Sequence, residues 1–232
     1  MFPKYFLPVV AGFLVLANMI MISEYDLEMI RWGRLISTFI VFLILIWKLR
    51  SEKVLIASIF LLLISDVLLL NYENTIINSV TFLLRIAAYT TLVFVIFPEI
   101  KSLKMSVVQK IVFAVVFTLN IGMLYVLVDM VPEKYDYPYL NFLFYIYGSA
   151  MITLVLAAIS YSNIYSDTTS FFFTAGALSL VFSDIMSFIA YYLEFYEFYY
   201  PDRFFYIIGI VSLVKFATFS RNHKPVFEME RL

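Results

Sequence analysis

The sequence predicts an all-α polytopic membrane bundle of eight transmembrane helices with both termini cytoplasmic. Three observations predict it: eight apolar segments of near-spanning length, a lopsided distribution of basic residues between alternate connections, and tyrosines gathered at segment ends. Of 232 residues, 63% are hydrophobic and only 14% charged, whereas a soluble domain carries roughly 25% charged residues.

Crossing the hydrocarbon takes about 20 mainly apolar residues as helix, and the segments qualify in order. Tyr5 to Ile22 follows a single lysine, is too long for a signal-peptide core and lacks a small-residue cleavage site, so it reads as a retained helix. Arg31 to Trp47 is the shortest apolar run. Val54 to Leu70 carries Asp66, and Ile76 to Phe97 carries Arg85. Val107 to Val131 and Tyr139 to Ser160 form the fifth and sixth segments. Phe171 to Leu193 carries Asp184, and Phe204 to Phe219 carries Lys215. Connections are short, so neighbours should pack as antiparallel pairs. No Pro/Gly/Ser-rich linker divides the chain, which reads as one transmembrane domain over 1–232.

Basic residues check the count. With alternating helices, one side receives Lys4, Lys48, Arg50, Lys53, Lys101, Lys104, Lys110, Arg221, Lys224 and Arg231. The other receives Arg31, Arg34, Lys134 and Arg203. The positive-inside rule then puts both termini in the cytoplasm. An odd number of spans would strand the C-terminal basic cluster on the wrong face. Tyr135, Tyr137 and Tyr139 precede the sixth segment, and Tyr191, Tyr192, Tyr196, Tyr199 and Tyr200 follow the seventh. They read as interfacial anchors, with the mouth of a site as the alternative.

Two carboxylates stand out because each lies inside an apolar run directly after a serine: Ser65-Asp66 and Ser183-Asp184. A charge at a helix centre costs about 2.5–3.5 kcal/mol on insertion scales. At 1.5 Å per residue, Asp66 lies roughly 8 Å and Asp184 roughly 13 Å below the outer ends of their helices, with Arg85 near the level of Asp184. Polar stripes accompany them. Asp184, Ser187 and Tyr191 share one helical face, Asn78, Thr81, Arg85 and Ala88 another, and Asn141, Tyr145, Ser149 and Thr153 a third.

Three readings of this arrangement stand side by side. Arg85 can neutralise the aspartates as structural ion pairs. One aspartate held protonated and the other ionised can act as acid and base. Alternatively the carboxylates can bind a cation or relay protons.

Other chemistries lack their residues. The net charge of −1 argues against nucleic acid. With no cysteine and with His223 as the sole histidine, in the polar tail, a zinc site has no ligand set. No G-x-S-x-G elbow or glycine-rich phosphate loop occurs. A Schiff base on Lys215 fits neither the eight-helix count nor that residue's shallow depth. Neither a cofactor nor a metal is expected.

The run Gly176-Ala177-Leu178-Ser179-Leu180-Val181-Phe182-Ser183-Asp184 resembles the helix-seven signature of the YhhN-like, lysoplasmalogenase family. The Asp in helix three, Tyr137-Pro138-Tyr139 leading into Tyr145, and the Phe82 to Tyr89 frame are similar too. The chain departs from that pattern with Ser65 for a glycine, Arg85-Ile86 for Gly-His, and no glutamine in the last helix. The resemblance implies hydrolysis of the vinyl-ether bond of lysoplasmalogens, a membrane-lipid substrate, in a bacterial inner membrane. It implies Asp66 and Asp184 as the catalytic pair, with Arg85, Tyr89, Tyr145, Ser149, Ser183 and Ser187 as candidate substrate contacts. The alternative is a non-catalytic membrane protein that binds or moves a lipid or cation through a buried Asp/Arg cluster.

Overall fold

The computed structural model describes residues 5–48, 52–100, 107–132 and 139–220. Among the described residues there are eight long α-helices and no strand. They are α1 (Phe6–Glu24), α2 (Leu27–Lys48), α3 (Lys53–Leu68), α4 (Thr75–Ile100), α5 (Val107–Asp129), α6 (Leu140–Tyr165), α7 (Thr168–Tyr192) and α8 (Tyr199–Ser220). A 3-10 turn, Leu69–Asn71, extends α3, and another, Tyr196–Phe198, leads into α8. Seven helices are long and apolar enough to cross a membrane, as in an integral membrane protein; α5 contributes a shorter apolar stretch, Phe113–Asp129.

Two helices start earlier than the apolar pattern predicts, and both corrections matter. Helix α2 begins at Leu27 rather than Arg31, and α8 at Tyr199 rather than Phe204. Arg31, Arg34 and Arg203, counted above as outer-side charges, are all buried helix residues, at 8%, 1% and 2% exposure. Hydropathy excludes charged residues from a span, but a helix tolerates them where partners inside the bundle neutralise them. With these three removed, the connections on that side carry still fewer basic residues. Lys4, Arg50, Lys101, Lys104, Lys134, Arg221, Lys224, Arg231, Tyr135, Tyr137, Pro138 and His223 lie outside the described residues.

Burial follows helical stripes. On α2, Arg34, Thr38, Val41 and Leu45 are buried at steps of three and four. On α6, Leu140, Phe144, Tyr147, Met151, Leu154 and Ala158 form the inward stripe. Helix α1 leaves Val9, Phe13, Leu16 and Ile20 exposed along one face, which suits acyl chains rather than water.

The tightest pairing is α7 on α8, at two glycines. A Cβ on Gly176 would stand 2.9 Å from Leu213 Cδ2 and 3.2 Å from the Gly209 carbonyl oxygen. Small residues at such a crossing let helices approach closely. The α6–α7 turn is closed by Asp167, whose side chain accepts the Ser170 N–H at 2.7 Å while its own N–H donates to Ser170 Oγ at 3.1 Å. Helix α5 packs mainly on α6.

Candidate functional site

At one end of the bundle, the heads of α2, α4, α6 and α8 meet the tails of α3 and α7. Each brings polar groups on an otherwise apolar face. Helix α2 supplies Arg34 and Thr38, one turn apart; α3 supplies Ser65 and Asp66; α4 supplies Arg85 and Tyr89. Helix α6 supplies Tyr147, α7 supplies Ser183 and Asp184, and α8 supplies Asp202, Arg203 and Tyr206.

Arg34 is the hub. Its Nε donates to Asp66 Oδ1 at 3.0 Å, its Nη1 to Asp202 Oδ1 at 3.2 Å and its Nη2 to Asp184 Oδ1 at 3.5 Å. Its guanidinium lies 3.7 Å from the centre of the Tyr206 ring, a cation–π contact. Arg85 is the second bridge. It donates to Asp184 Oδ1, to Asp66 Oδ1 at 3.4 Å and, through Nε, to Ser65 Oγ at 3.2 Å. Thus Asp66 and Asp184 share two guanidiniums.

Hydroxyls fill the second oxygen of Asp66 and of Asp184. Thr38 Oγ1 and Tyr206 OH each donate to Asp66 Oδ2 at 2.6 Å. Tyr89 and Tyr147 both donate to Asp184 Oδ2. Asp202 accepts from Ser183 Oγ at 2.5 Å and from Arg203 Nη1. Three carboxylates and three guanidiniums balance in charge, as a low-dielectric interior requires.

Position separates the two predicted aspartates. Asp66 is fully buried behind the guanidiniums, whereas Asp184 borders a cavity of about 60 Å³. Four arginines, Arg31, Arg34, Arg85 and Arg203, line that cavity. Arg31 holds Glu73 by a two-pronged bridge at 2.6 and 3.0 Å. That hydrogen-bonded fork keeps the Glu73 carboxyl, outside the spans, below the usual carboxylate range. On the other side of Asp184 and Tyr147 lies an apolar hollow of about 50 Å³. Through Leu124, Gly148 and Met151 it borders a further apolar cavity of about 100 Å³ between α5, α6 and α7.

Every charged member of this web falls within the stretch that matches one family profile, the YhhN family, over residues 30–212. The chain belongs to the YhhN family. No curated protein and no solved structure matches it.

In this YhhN protein the structure brings Asp66, Asp184, Arg85, Tyr89 and Ser183 into one web, with Ser187 on the cavity wall. Tyr145 and Ser149 stand elsewhere. They are partly exposed on a neighbouring stripe of α6, Ser149 bonds the Tyr145 carbonyl at 2.7 Å, and neither lines the cavity. Tyr147 takes the place foreseen for Tyr145, because the inward stripe of α6 is the apolar one. Tyr191, Tyr192 and Tyr199 line the cavity, Tyr192 and Tyr199 being buried, so these three form a site wall rather than an interfacial belt. Ser65 and Arg85, two positions of departure from the resembled pattern, touch each other. Among the described residues no group of three His, Cys, Asp or Glu side chains is arranged to hold a metal.

Proposed function

We propose that this YhhN protein is a lysoplasmalogenase-like membrane hydrolase that cleaves the vinyl-ether bond of a lysophospholipid, with Asp184 and Asp66 as its working carboxylates. One observation carries the reading: Asp184 and Tyr147 stand between an arginine-lined cavity and an apolar one. A lysoplasmalogen has the same order, an anionic head group, then the reactive C=C–O unit, then an alkyl chain.

In this reaction the entering lipid displaces a tyrosine hydroxyl from Asp184 Oδ2, the freed oxygen takes up a proton from water, and Asp184 delivers that proton to the vinyl-ether carbon remote from oxygen, the C=C electrons forming the new C–H bond. The resulting oxocarbenium ion is stabilised by the carboxylate left behind. Water adds to the cationic carbon and gives its proton to that carboxylate. As the hemiacetal C–O bond breaks, Asp184 gives that proton to the leaving glycerol oxygen and takes up the hemiacetal hydroxyl proton, and a fatty aldehyde departs. Asp66, held by Arg34 and Arg85, fixes the guanidiniums that position Asp184. The bacterial inner membrane, with both termini cytoplasmic, is the location proposed with it. Detergent-purified protein should release aldehyde from a lysoplasmalogen, and Asp184→Asn and Asp66→Asn should each abolish release; full activity in both variants refutes the assignment.

The charge balance of three aspartates and three arginines favours a second reading, a non-catalytic ion cluster in a protein that binds or moves a lipid or cation. In that case Asp184→Asn lowers stability as strongly as a lost structural pair and no aldehyde appears from the parent protein.

A further inference from the structure

Arg203 is 2% exposed, and its Nη1 and Nη2 are engaged by Asp202 and by the Ile30 carbonyl oxygen at 3.3 Å. Its Nε–H has no hydrogen-bond partner, the sole such buried side-chain nitrogen or oxygen among the described residues. A buried charged donor left unpaired is costly, and this one belongs to a residue on the wall of the arginine-lined cavity. Arg31, next in sequence to Ile30, lines the same cavity.

The charges there are unequal in how firmly they are held. Arg34, Arg85 and Arg203 are matched by three buried aspartates. Arg31 is matched by Glu73, whose side chain is 62% exposed on the connection between α3 and α4. A carboxylate in water exchanges readily, so Arg31 is the one cavity arginine with a replaceable partner. Its fork already grips two oxygens of one planar anion, the geometry by which guanidinium also grips phosphate. A volume of about 60 Å³ holds on the order of four waters, comparable to the four oxygens of a phosphate group.

We propose that Arg31 and Arg203 form a phosphate subsite, and that Glu73 holds the Arg31 fork until a phosphate displaces it. This rests on the lipid-hydrolase reading above and names the side chains that select a phosphate-bearing lipid over a neutral ether lipid. Phosphate bonds to the Arg31 fork and to the free Arg203 Nε–H while Glu73 turns to solvent. The alkyl chain is then directed past Asp184 into the apolar hollow.

The test measures binding without turnover. Full-length protein in detergent is titrated with a 1-O-alkyl lysophosphatidylethanolamine, whose saturated ether cannot be cleaved by vinyl protonation, and with the 1-O-alkylglycerol of equal chain length. The phospholipid should bind at least tenfold more tightly. Arg31→Gln should erase that preference while leaving alkylglycerol affinity within about twofold, and Arg31→Lys should restore part of it. Glu73→Gln, a surface change, should tighten the phospholipid severalfold by removing the competitor. Competition by glycerophosphoethanolamine alone assigns the subsite to a lipid head group, and equal competition by inorganic phosphate assigns it to free phosphate. Equal binding of the two ether lipids, or a preference unchanged in Arg31→Gln, overturns the proposal. Because no bond is broken, failed catalysis leaves these outcomes readable.

Discussion

Removing the Arg34 guanidinium should be among the most damaging single changes in this protein, and a second deletion should repair part of the damage. Arg34→Met leaves Asp66, Asp184 and Asp202 facing only Arg85 and Arg203, one buried negative charge in excess. Stranding a buried charge costs about 3–5 kcal/mol. At about 2–4 °C per kcal/mol for a chain of this size, the melting temperature falls by about 6–20 °C. Adding Asp66→Asn leaves two intact pairs, Arg85 with Asp184 and Arg203 with Asp202, and the amide oxygen introduced there can still accept from Thr38 and Tyr206. The double variant should therefore regain about 1–3 kcal/mol of coupling energy. Thermal unfolding of the four proteins of this cycle in one detergent measures it. Additive losses in the double variant would show that the web is not a charge-balanced unit.

Tyr147→Phe removes one of two hydroxyls from Asp184; a hydrogen bond to a charged group is worth about 1.5–3 kcal/mol, so kcat/KM for aldehyde release should drop about 10–150-fold. Gly176→Val forces a side chain against Leu213 and the Gly209 carbonyl and should cost about 1–3 kcal/mol. Gly12→Ala, with nothing within 4 Å, should stay within about 0.5 kcal/mol in the same melts. The Arg31–Glu73 bridge, with one exposed partner, should contribute less than about 1 kcal/mol. Because the folded state holds Glu73 below its usual value, that contribution is complete above about pH 4.3 and is lost as pH falls through the folded value. Melting curves of wild type and Glu73→Gln should differ at pH 7 and converge in acid.

Asp66, Asp184 and Arg85 were legible because each interrupts an apolar run, and only a partner makes such an interruption tolerable. The same logic hid Arg34, Asp202 and Arg203. They stand near helix heads, where a charge is also what a connection would carry: the predicted eighth span began after Asp202 and Arg203, and Arg34, though inside the predicted second span, was counted with the outer-side charges. A signal was present: Arg34 keeps helical spacing with Thr38, Val41 and Leu45, and Asp202 keeps it with Tyr206, Ile210 and Leu213 across the predicted start of the eighth span. Tyr147 was missed for the opposite reason. The polar stripe of α6 through Tyr145 and Ser149 looked inward-facing, yet Ser149 is satisfied by its own helix. Tyr147 lies on the apolar stripe that packs, where its single hydroxyl reaches Asp184.

The bond between Arg34 and Asp202 spans 168 positions of sequence. During synthesis the second helix is laid into the bilayer long before the eighth has been translated. Arg34 must wait there with Asp66 as its early companion, and its full set of counter-charges is assembled only when the final hairpin arrives. The step that seats the eighth helix is therefore also the one that completes the buried ion web.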